Sequence, residues 1–237
     1  MDDALIGQYR RLSSSMVSDA LDRLGRRGVV DGIRPITASG RHVGPAFTVG
    51  YRRRGSTSGS GTGTVGDYID DVEPGSIVVL ANEGRDDCSV WGGLLSAAAK
   101  QRNLAATVID GRCRDVAVST ESGYPLYARG QTMRTGKDRA DLASVGEPIT
   151  VSGVVVNPGD LVIADDDGVV LVPAASAPEV ARVAAQIDAA ENEILEAVRS
   201  GTPLAEARRR VGYHDLQRNT ASSHQRSASN ETPGEPS

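Results

Sequence analysis

The stretch VWGGLLSAAAKQRNLAATVIDGRCRDVAV, from Val90 to Val118, decides the fold class of this chain. Its first half predicts a helix that opens on two glycines. LAATVID then predicts an apolar strand, followed by a turn that leads into a further helix. Upstream, EPGSIVVLAN predicts a Pro-Gly turn and a buried strand. The order strand, helix, strand indicates an α/β domain, in which the ends of strands and the starts of helices meet at one edge of the sheet.

Outside this stretch, the hydrophobic pattern predicts two more helices and several short strands. Ser13–Ser15 precede an apolar stripe at helical spacing, which indicates a helix capped by serine and ended by Gly25 or Gly28. HVGPAFTVGY, PLYARG, EPITVSGVVVNPGD, LVIADDDG and VVLVP predict strands separated by turns. A long helix is predicted from about Ala177 to Arg199; its expected apolar side consists of Val180, Ala184, Ile187, Ile194, Leu195 and Val198.

Composition limits the classes of protein to which the chain can belong. At 237 residues it is long enough for one large domain or two small ones, and its hydrophobic fraction of 39% suffices for a core. A net charge of −5 argues against nucleic-acid binding as the main task. Two cysteines do not indicate a disulfide framework, and the N-terminus has no signal-peptide pattern. Because no apolar run is long enough to span a bilayer, we expect a cytoplasmic protein without membrane partners.

Two segments are expected to lack regular structure. Arg52-Arg53-Arg54 opens the Gly/Ser-rich run RRRGSTSGSGTGTVG, which predicts a mobile loop at about residues 53–64 with a solvated basic cluster. This run lacks the Gly-Lys-Ser/Thr ending of a phosphate-binding loop. Residues 218–237 hold almost no apolar side chains, which predicts a disordered tail after a single domain at residues 1–217.

The segment Gly92-Gly93-Leu94-Leu95 is the first candidate binding element. If it opens a helix, its free backbone N–H groups and the helix dipole form an anion site. The missing side chains of two successive glycines also let a small carboxylate approach the backbone closely. The alternative is that the glycines only permit tight packing between helix and strand, and the spacing favours neither interpretation.

Arg114 and Asp115 form the second candidate, because they follow the next predicted strand and so face the same crevice. The planar guanidinium of arginine suits a carboxylate or an enolate oxygen. An aspartate is a hard oxygen ligand, suited to a Mg²⁺ that retains most of its waters. The alternative is a surface arginine beside an aspartate that caps the following helix.

Other catalytic or metal-binding motifs are absent from the sequence. The three histidines lie in unrelated segments, and neither Cys88 nor Cys113 has a metal-like partner at short spacing. No nucleophile elbow of the G-x-S-x-G type is present. Asp165-Asp166-Asp167-Gly168 lacks the final glutamate of a calcium loop and predicts a solvent-facing hairpin turn instead.

Four motifs in the same order resemble the family of 4-hydroxy-4-methyl-2-oxoglutarate aldolases and RraA-like proteins. They are MVSDALDRLG, GIRPI…GRHVGPAFTV, VWGGLLSAAAKQRNLAATVIDGRCRD and VNPGDLVIADDDGVVLVP, and the resemblance covers roughly residues 13 to 201. It implies a compact single-domain α/β fold of the swivelling β/β/α type, with a central sheet or barrel flanked by helices. It also implies a homotrimer or hexamer whose sites lie between neighbouring subunits.

The same resemblance implies a role for each candidate site residue. The backbone from Gly92 to Leu95 would hold the pyruvyl carboxylate of a small keto-acid substrate. Arg114 would contact the keto or enolate oxygen, and Asp115 would be the direct ligand of Mg²⁺ or Mn²⁺. Asp110, the first residue of the D-G-x-x-R-D motif, is expected to shape the turn.

The sequence departs from the family pattern at Gly93, where many aldolase members carry an acidic residue that holds metal-bound water. The departure leaves open which substrate the protein prefers. The family can also contribute an acid from the C-terminal helix of a neighbouring subunit. Glu191 and Glu193 are the two possible equivalents.

The activity implied by the resemblance is that of a metal-dependent, class II type carbon–carbon lyase, which cleaves pyruvate-containing keto acids through a Mg-stabilised pyruvate enolate. It would be a 4-hydroxy-4-methyl-2-oxoglutarate aldolase, an oxaloacetate decarboxylase, or both. Decarboxylation needs no base for a C4 hydroxyl, so a protein without an acid at position 93 is expected to keep it more readily. The alternatives are a specialised lyase for a related keto acid, and a non-catalytic RraA-type regulator that binds a ribonuclease.

Overall fold

The computed structural model describes residues 2–37, 39–56 and 65–213, and these contain six α-helices, two short 3-10 helices (Ile69–Asp71 and Ala174–Ser176) and ten strands. The helices are α1 (Asp3–Tyr9), α2 (Ser14–Arg23), α3 (Gly93–Gln101), α4 (Val116–Ser122), α5 (Ala177–Arg199) and α6 (Leu204–Arg210). The strands are β1 (Arg34–Pro35), β2 (His42–Arg53), β3 (Ile77–Ala81), β4 (Ala106–Cys113), β5 (Leu126–Gln131), β6 (Ala140–Val145), β7 (Ile149–Val151), β8 (Val154–Val156), β9 (Leu161–Asp165) and β10 (Gly168–Val172).

The predicted strand–helix–strand unit is confirmed, and a second one follows it. β2, β3, β4 and β5 are parallel neighbours, with α3 connecting β3 to β4 and α4 connecting β4 to β5. The carboxyl ends of parallel strands share one edge of a sheet, and the connecting helices begin near it. This edge therefore carries Gly92 and Asp115, the N-cap residues of α3 and α4.

Antiparallel pairing bends the sheet into a nearly closed barrel. The first residues of β2 pair with β9, and β9 pairs with β10 across the Asp165-Gly168 turn. The segment before β1 then approaches from the other side: Val29 bridges to Val170 in β10, while β1 pairs with β5. The α/β fold with a central barrel-like sheet flanked by helices is thus confirmed.

β2 is long because it pairs with the parallel strand β3 and also with the antiparallel strands β9 and β6. Residues 46–50 pair with β3 along one edge. On the other edge, residues 42–45 pair with β9 and residues 49–53 with β6, where a bulge lies between Gly50 and Tyr51. Arg52 and Arg53 are consequently strand residues, and the prediction of a solvated loop there is wrong.

Side chains that alternate along the strands build three apolar clusters. The inner face of the barrel contributes Val79, Val108, Tyr127, Val162 and Leu171 to one of them. α1, α2 and α5 cover β9 and β10 with a second cluster. The third lies under α3 and includes Trp91, which is buried and stacks on Tyr124 with 6.1 Å between ring centroids. The third cluster fixes the start of α3, because Trp91 immediately precedes Gly92.

Both predicted helices at the two ends of the domain are confirmed, with one correction. Ser13 caps α2, since its hydroxyl accepts a hydrogen bond from the Met16 N–H, and α5 spans the predicted residues. Leu195 and Val198, expected on the apolar side of α5, are instead 48% and 39% exposed. The apolar side of α5 is buried from Ala177 to Ile187 and again at Ile194.

Some sequence predictions fall outside the described residues. These are most of the Gly/Ser-rich loop, residues 57–64, and the tail at residues 218–237. None of the described helices is both long enough and apolar enough to cross a membrane.

Candidate active site

Two helix starts lie side by side at the carboxyl edge of the parallel strands. The backbone N–H of Gly93, in the first turn of α3, donates a hydrogen bond to the carboxylate of Asp115, with 3.1 Å between N and Oδ2. Asp115 is the N-cap residue of α4, so this bond joins the two starts. A negative charge at the N-terminus of a helix is the electrostatically favoured arrangement. The sequence prediction that this segment opens a helix is confirmed.

The backbone of Asp115 is left-handed, with φ 56° and ψ 40°. This conformation is uncommon for a residue with a side chain, and backbone strain of this kind concentrates at functional sites. The Asp115 side chain makes no capping hydrogen bond to its own helix and reaches α3 instead. Asp115 therefore occupies the N-cap position of α4, but the predicted alternative of a side chain that caps this helix is wrong.

The Arg114 side chain lies against the same carboxylate. Its Nε is 3.4 Å from Asp115 Oδ2, and the two side chains are 39% and 43% exposed. A pair this exposed contributes little to stability, so stability alone does not explain the arrangement. Within the described residues, the two terminal nitrogens of Arg114 have no hydrogen-bond partner and are available to a ligand.

The two glycines leave room for the close approach of the helix starts. A Cβ on Gly92 would lie 2.8 Å from Asp115 Oδ2 and 3.2 Å from Arg114 Nε. A Cβ on Gly93 would lie 2.9 Å from Cγ1 of Val118, on the first turn of α4. Packing is thus sufficient to explain the glycines, while the binding of an anion to their N–H groups stays a prediction. Val118 also occupies the space that an acidic side chain at position 93 would need.

One cavity of about 640 Å³ brings all the predicted site residues together. Gly92, Gly93, Leu94, Leu95, Arg114 and Asp115 form one part of its lining. The rest of the lining includes charged residues that the sequence does not single out: Arg54, Asp67, Lys137, Asp138 and Asp141. The basic cluster Arg52-Arg53-Arg54 is the sequence signal for this group of lining residues. Its interpretation as a solvated loop excluded it from the predicted site.

A buried chain of hydroxyl groups connects the two helix starts from below. The indole N–H of Trp91 donates to Ser96 Oγ at 2.9 Å, and Ser96 Oγ lies 2.7 Å from Ser119 Oγ. Ser96 Oγ also lies 3.3 Å from the Gly92 carbonyl oxygen, and Ser119 Oγ lies 3.4 Å from that of Asp115. Because each hydroxyl has one proton, one serine donates to the other serine and the second donates to its backbone carbonyl. Both serines are completely buried. This serine network ties α3 to α4 immediately beneath the cavity.

Asp110 does not shape a turn next to Arg114, because β4 continues in strand conformation to Cys113. Its buried carboxylate pairs with Arg129 and accepts a hydrogen bond from the N–H of Ser152 at 3.2 Å. Ser152 lies in the tight connection between β7 and β8. Asp110 therefore fastens the β7–β8 hairpin to the sheet and lines no part of the cavity.

The remaining candidate metal ligands lie away from the cavity, and the remaining candidate nucleophiles are unreactive. Asp165 accepts hydrogen bonds from the N–H and the hydroxyl of Ser14, and the hairpin turn predicted there is confirmed. Burial raises the pKa of the Cys113 thiol to about 11, so this thiol stays protonated near neutral pH. Burial likewise raises the pKa of Cys88. Neither cysteine is suited to nucleophilic chemistry.

Glu191 and Glu193 lie in α5, which packs on α1 and α2. Glu191 accepts a hydrogen bond from the hydroxyl of Tyr213 at 2.7 Å. Within one chain neither glutamate lines the cavity, and a contribution across a subunit interface stays a prediction.

Comparison with known proteins gives a family match and informative relatives. The model of the RraA-like family, described as Aldolase/RraA, matches residues 14–171. Protein DlpA of Legionella pneumophila is 36% identical over 209 residues, which are 88% of this chain and 34% of that protein. The chain therefore spans about a third of the length of DlpA.

Two further proteins extend the comparison to activity and to structure. A protein of Halalkalibacterium halodurans named "Putative 4-hydroxy-4-methyl-2-oxoglutarate aldolase" is 30% identical over 168 residues, 71% of this chain and 76% of its own. The crystal structure of RraAS2 from Streptomyces coelicolor aligns with a TM-score of 0.72 and 28% identity, covering 85% of this chain and 98% of RraAS2. That protein is described as an unusual member of the RNase ES inhibitor RraA protein family.

Proposed function

Since the chain belongs to the RraA-like family, we propose that it is a divalent-metal-dependent lyase that cleaves carbon–carbon bonds of pyruvate-containing keto acids. The observation that carries this proposal is the placement of Arg114 and Asp115 against the start of α3 in a single cavity. The aldolase name of a relative at 30% identity supports the same class of reaction.

The donor set fits a Mg²⁺ or Mn²⁺ that keeps most of its waters. Asp115 offers one partly exposed carboxylate to the cavity. In the described part of the chain, no group of three or more His, Cys, Asp or Glu side chains could enclose a metal. Mg²⁺ is commonly held by one or two carboxylates together with water and substrate. A metal held there would act as a Lewis acid on the oxygen at which negative charge develops.

The side chains and backbone of the chain would then bind and orient the substrate. The first turn of an α-helix leaves N–H groups without intrahelical partners. The Gly93 N–H is already bonded to Asp115, so Leu94 and Leu95 would offer their N–H groups to the pyruvyl carboxylate. Arg114 would donate to the keto oxygen, and this hydrogen bond strengthens as the oxygen gains charge on the way to the enolate.

Gly93 favours decarboxylation over aldol cleavage. Aldol cleavage requires a base that removes the proton from the C4 hydroxyl. Loss of CO₂ from oxaloacetate forms the enolate directly and needs no such base. The chain has no acid at position 93, and Val118 lies within 2.9 Å of where its Cβ would be. Oxaloacetate decarboxylase activity is therefore the primary proposal, and 4-hydroxy-4-methyl-2-oxoglutarate aldolase activity the secondary one.

The test is pyruvate formation by the pure protein from oxaloacetate and from 4-hydroxy-4-methyl-2-oxoglutarate, each with Mg²⁺ and with a chelator. We expect Mg²⁺-dependent pyruvate from both acids, with the faster turnover on oxaloacetate. The spontaneous, metal-catalysed decay of oxaloacetate is subtracted with a control that contains the same Mg²⁺ and no protein. No excess of pyruvate over that control, from either acid, would contradict a lyase.

A second candidate function is that of a non-catalytic protein that binds and restrains a ribonuclease. The similarity to RraAS2, which is described within an RNase inhibitor family, favours it. A chain of this kind would slow RNA cleavage by the ribonuclease in a dose-dependent manner and would form no pyruvate. The pair of assays separates the two functions.

A further inference from the structure

Aldol cleavage needs a base at the C4 hydroxyl, and the groups that would bind the pyruvyl end and the metal supply none. Position 93 is a glycine, Arg114 is a cation, and the Asp115 carboxylate already accepts the hydrogen bond of the Gly93 N–H. Among the described residues, three further acids line the cavity: Asp67, Asp138 and Asp141. These acids are the candidates for the base.

Asp138 and Asp141 are placed by the far end of β2. Asp138 Oδ1 accepts a hydrogen bond from Arg54 Nη1 at 2.9 Å, and Arg54 directly follows β2. Asp141 lies on β6, directly opposite Arg52 in the β2–β6 ladder, and the side chains of such cross-strand neighbours share one face of the sheet. Both acids therefore belong to the part of the cavity that the end of β2 forms.

Asp67 enters the cavity beside the first turn of α3. Its neighbour Gly66 has a φ of 99°, and a Cβ on Gly66 would lie only 2.6 Å from Cδ2 of Leu95. Leu95 lines the cavity, and its N–H is one of the two groups proposed to hold the pyruvyl carboxylate. A Cβ on Gly136 would likewise lie 3.1 Å from Cγ2 of Val65. The segment that carries Asp67 is thus held between α3 and the connection from β5 to β6.

Buried neighbours fix the position of Asp67. Tyr68, the next residue, is buried and stacks on Phe47 of β2 with 6.1 Å between ring centroids. Burial raises the pKa of Tyr51 to about 12, and the negative charge of Asp67 adds to this rise. The Asp67 carboxylate is therefore near enough to the interior of the domain for its charge to act on a buried side chain of β2.

We propose that Asp67 is the base that removes the proton from the C4 hydroxyl in aldol cleavage. This inference rests on the proposed function, because Leu94, Leu95 and Arg114 must hold the pyruvyl end of the substrate. As the hydroxyl proton passes to Asp67, the C4–O bond becomes a carbonyl, the C3–C4 bond breaks, and its electron pair forms the pyruvate enolate. Transfer of that proton from Asp67 to C3 of the enolate gives a second pyruvate and restores the carboxylate.

The test compares the two proposed substrates, because only one of them needs a base. With Mg²⁺ present, Asp67→Asn should lower kcat/KM for 4-hydroxy-4-methyl-2-oxoglutarate by at least about 100-fold, the lower end of what a positioned base contributes. Its kcat/KM for oxaloacetate, measured above a protein-free control with the same Mg²⁺, should stay within about twofold of the wild-type value. Asp67→Glu keeps a carboxylate and should recover part of the aldol cleavage.

Asp70→Asn is the matched control. Asp70 lies on the same segment, its side chain is 86% exposed, and its carboxylate is 3.9 Å from Arg102 Nη1, outside the cavity. This variant should carry out both reactions at the wild-type rate. Thermal unfolding of each variant verifies that the fold is intact.

An Asp67→Asn variant that keeps aldol cleavage, or that loses both reactions equally, would overturn the inference. Wild-type protein that releases pyruvate from oxaloacetate alone would also overturn it, but would leave the lyase proposal standing. Release of pyruvate from neither acid would refute the lyase itself, and the role of Asp67 with it.

Discussion

At the scale of single residues, Asp115 is held by a hydrogen bond that does not require its charge. An asparagine accepts the same hydrogen bond from the Gly93 N–H through its amide oxygen, and asparagine tolerates the left-handed backbone found here. An Asp115→Asn variant therefore removes the negative charge and keeps the geometry. This separates a role as metal ligand from a role in joining the helix starts.

We expect Asp115→Asn to lower metal-dependent pyruvate formation by about 10³-fold, the scale of several kcal/mol of Lewis-acid stabilisation. The melting temperature should stay at the wild-type value. Asp115→Ala should lose the activity as well, and should also lose the hydrogen bond to Gly93. The measurement is kcat/KM against Mg²⁺ concentration; wild-type turnover of either variant at low Mg²⁺ would show that the metal assignment is wrong.

Arg114 is expected to act more strongly on the transition state than on the bound substrate, because negative charge develops on the oxygen that it contacts. Arg114→Ala should therefore lower kcat as well as weaken binding, with a loss of about 2 to 4 kcal/mol in kcat/KM. Arg114→Lys should recover little, since an ammonium group does not reproduce the planar fork. Steady-state kinetics decide the matter: a change within about 0.5 kcal/mol in both variants is what a surface arginine would give.

The sequence alone was enough to select the residues of one half of the cavity. Gly92 and Gly93 open the helix between β3 and β4, and Arg114 and Asp115 directly follow β4, so the order of strands and helices along the chain brings them to one edge. Lys137 could not be found in this way, because its place in the cavity depends on a long connection packing against Ser89. A contact between distant segments of this kind leaves no periodic signal.

At the scale of secondary structure, the serine network holds the first turns of α3 and α4 together through buried hydrogen bonds. Ser119→Ala removes the partner of Ser96 Oγ and the weaker contact with the Asp115 carbonyl. We expect it to destabilise the fold by about 1 to 2 kcal/mol, the cost of leaving a buried polar group with fewer partners. We also expect weaker Mn²⁺ binding, because the Asp115 carboxylate loses part of its support. Denaturant unfolding and metal titration measure the two effects.

Ser122→Ala is the matched control for this variant. Ser122 lies on the same helix, and its hydroxyl donates to the Ser119 carbonyl rather than to α3. It should leave the Mn²⁺ affinity unchanged. If Ser119→Ala and Ser122→Ala had the same metal affinity, the network would stabilise the helices without serving the site.

Strong periodicity made most of the elements predictable, and its absence explains those that were missed. β3, α3, β4 and α5 are either continuously apolar or regularly amphipathic, and all four were predicted. α1 and α6 are only seven residues long, and β1 has two residues. β6 alternates weakly, with exposed or half-buried side chains after Ala140, and becomes a strand because it pairs with the far end of β2. Leu195 and Val198 follow the apolar periodicity of α5, which is why they were predicted to be buried. They lie in the last turns of the helix, beyond the sheet that its earlier turns cover, and are therefore exposed.

At the scale of the whole molecule, two large apolar side chains at or near the cavity are almost fully exposed. Leu94, which lines the cavity, is 90% exposed, and Met133, in the connection that carries Lys137, is 92% exposed. The resemblance to the RraA-like family implies sites between neighbouring subunits, and a neighbouring chain at the cavity would cover such side chains. We therefore expect a homotrimer or hexamer, with closed symmetry and a neighbouring chain at each cavity.

Light scattering should give three or six times the mass of one chain at micromolar concentration. Leu94→Asp should shift the mass toward the single chain, because it would bury a charge at the contact. Val155→Asp is the control, since Val155 is 61% exposed on β8 and does not line the cavity. A wild-type protein with the mass of one chain would remove the basis for an acid from Glu191 or Glu193 of a neighbour.

The shared strand β2 also governs when the molecule can fold during its synthesis. His42 pairs with Ala164, so the barrel stays open on the ribosome until β9 has emerged from the exit tunnel. The segment from β3 to α4 leaves the tunnel well before that point. Until β9 arrives, the apolar inner face of its sheet is exposed to solvent. Pairing between such distant segments is slow, and uncovered sheet surface invites aggregation and chaperone binding. The residues of the cavity are thus translated early, and the scaffold that holds them is completed late.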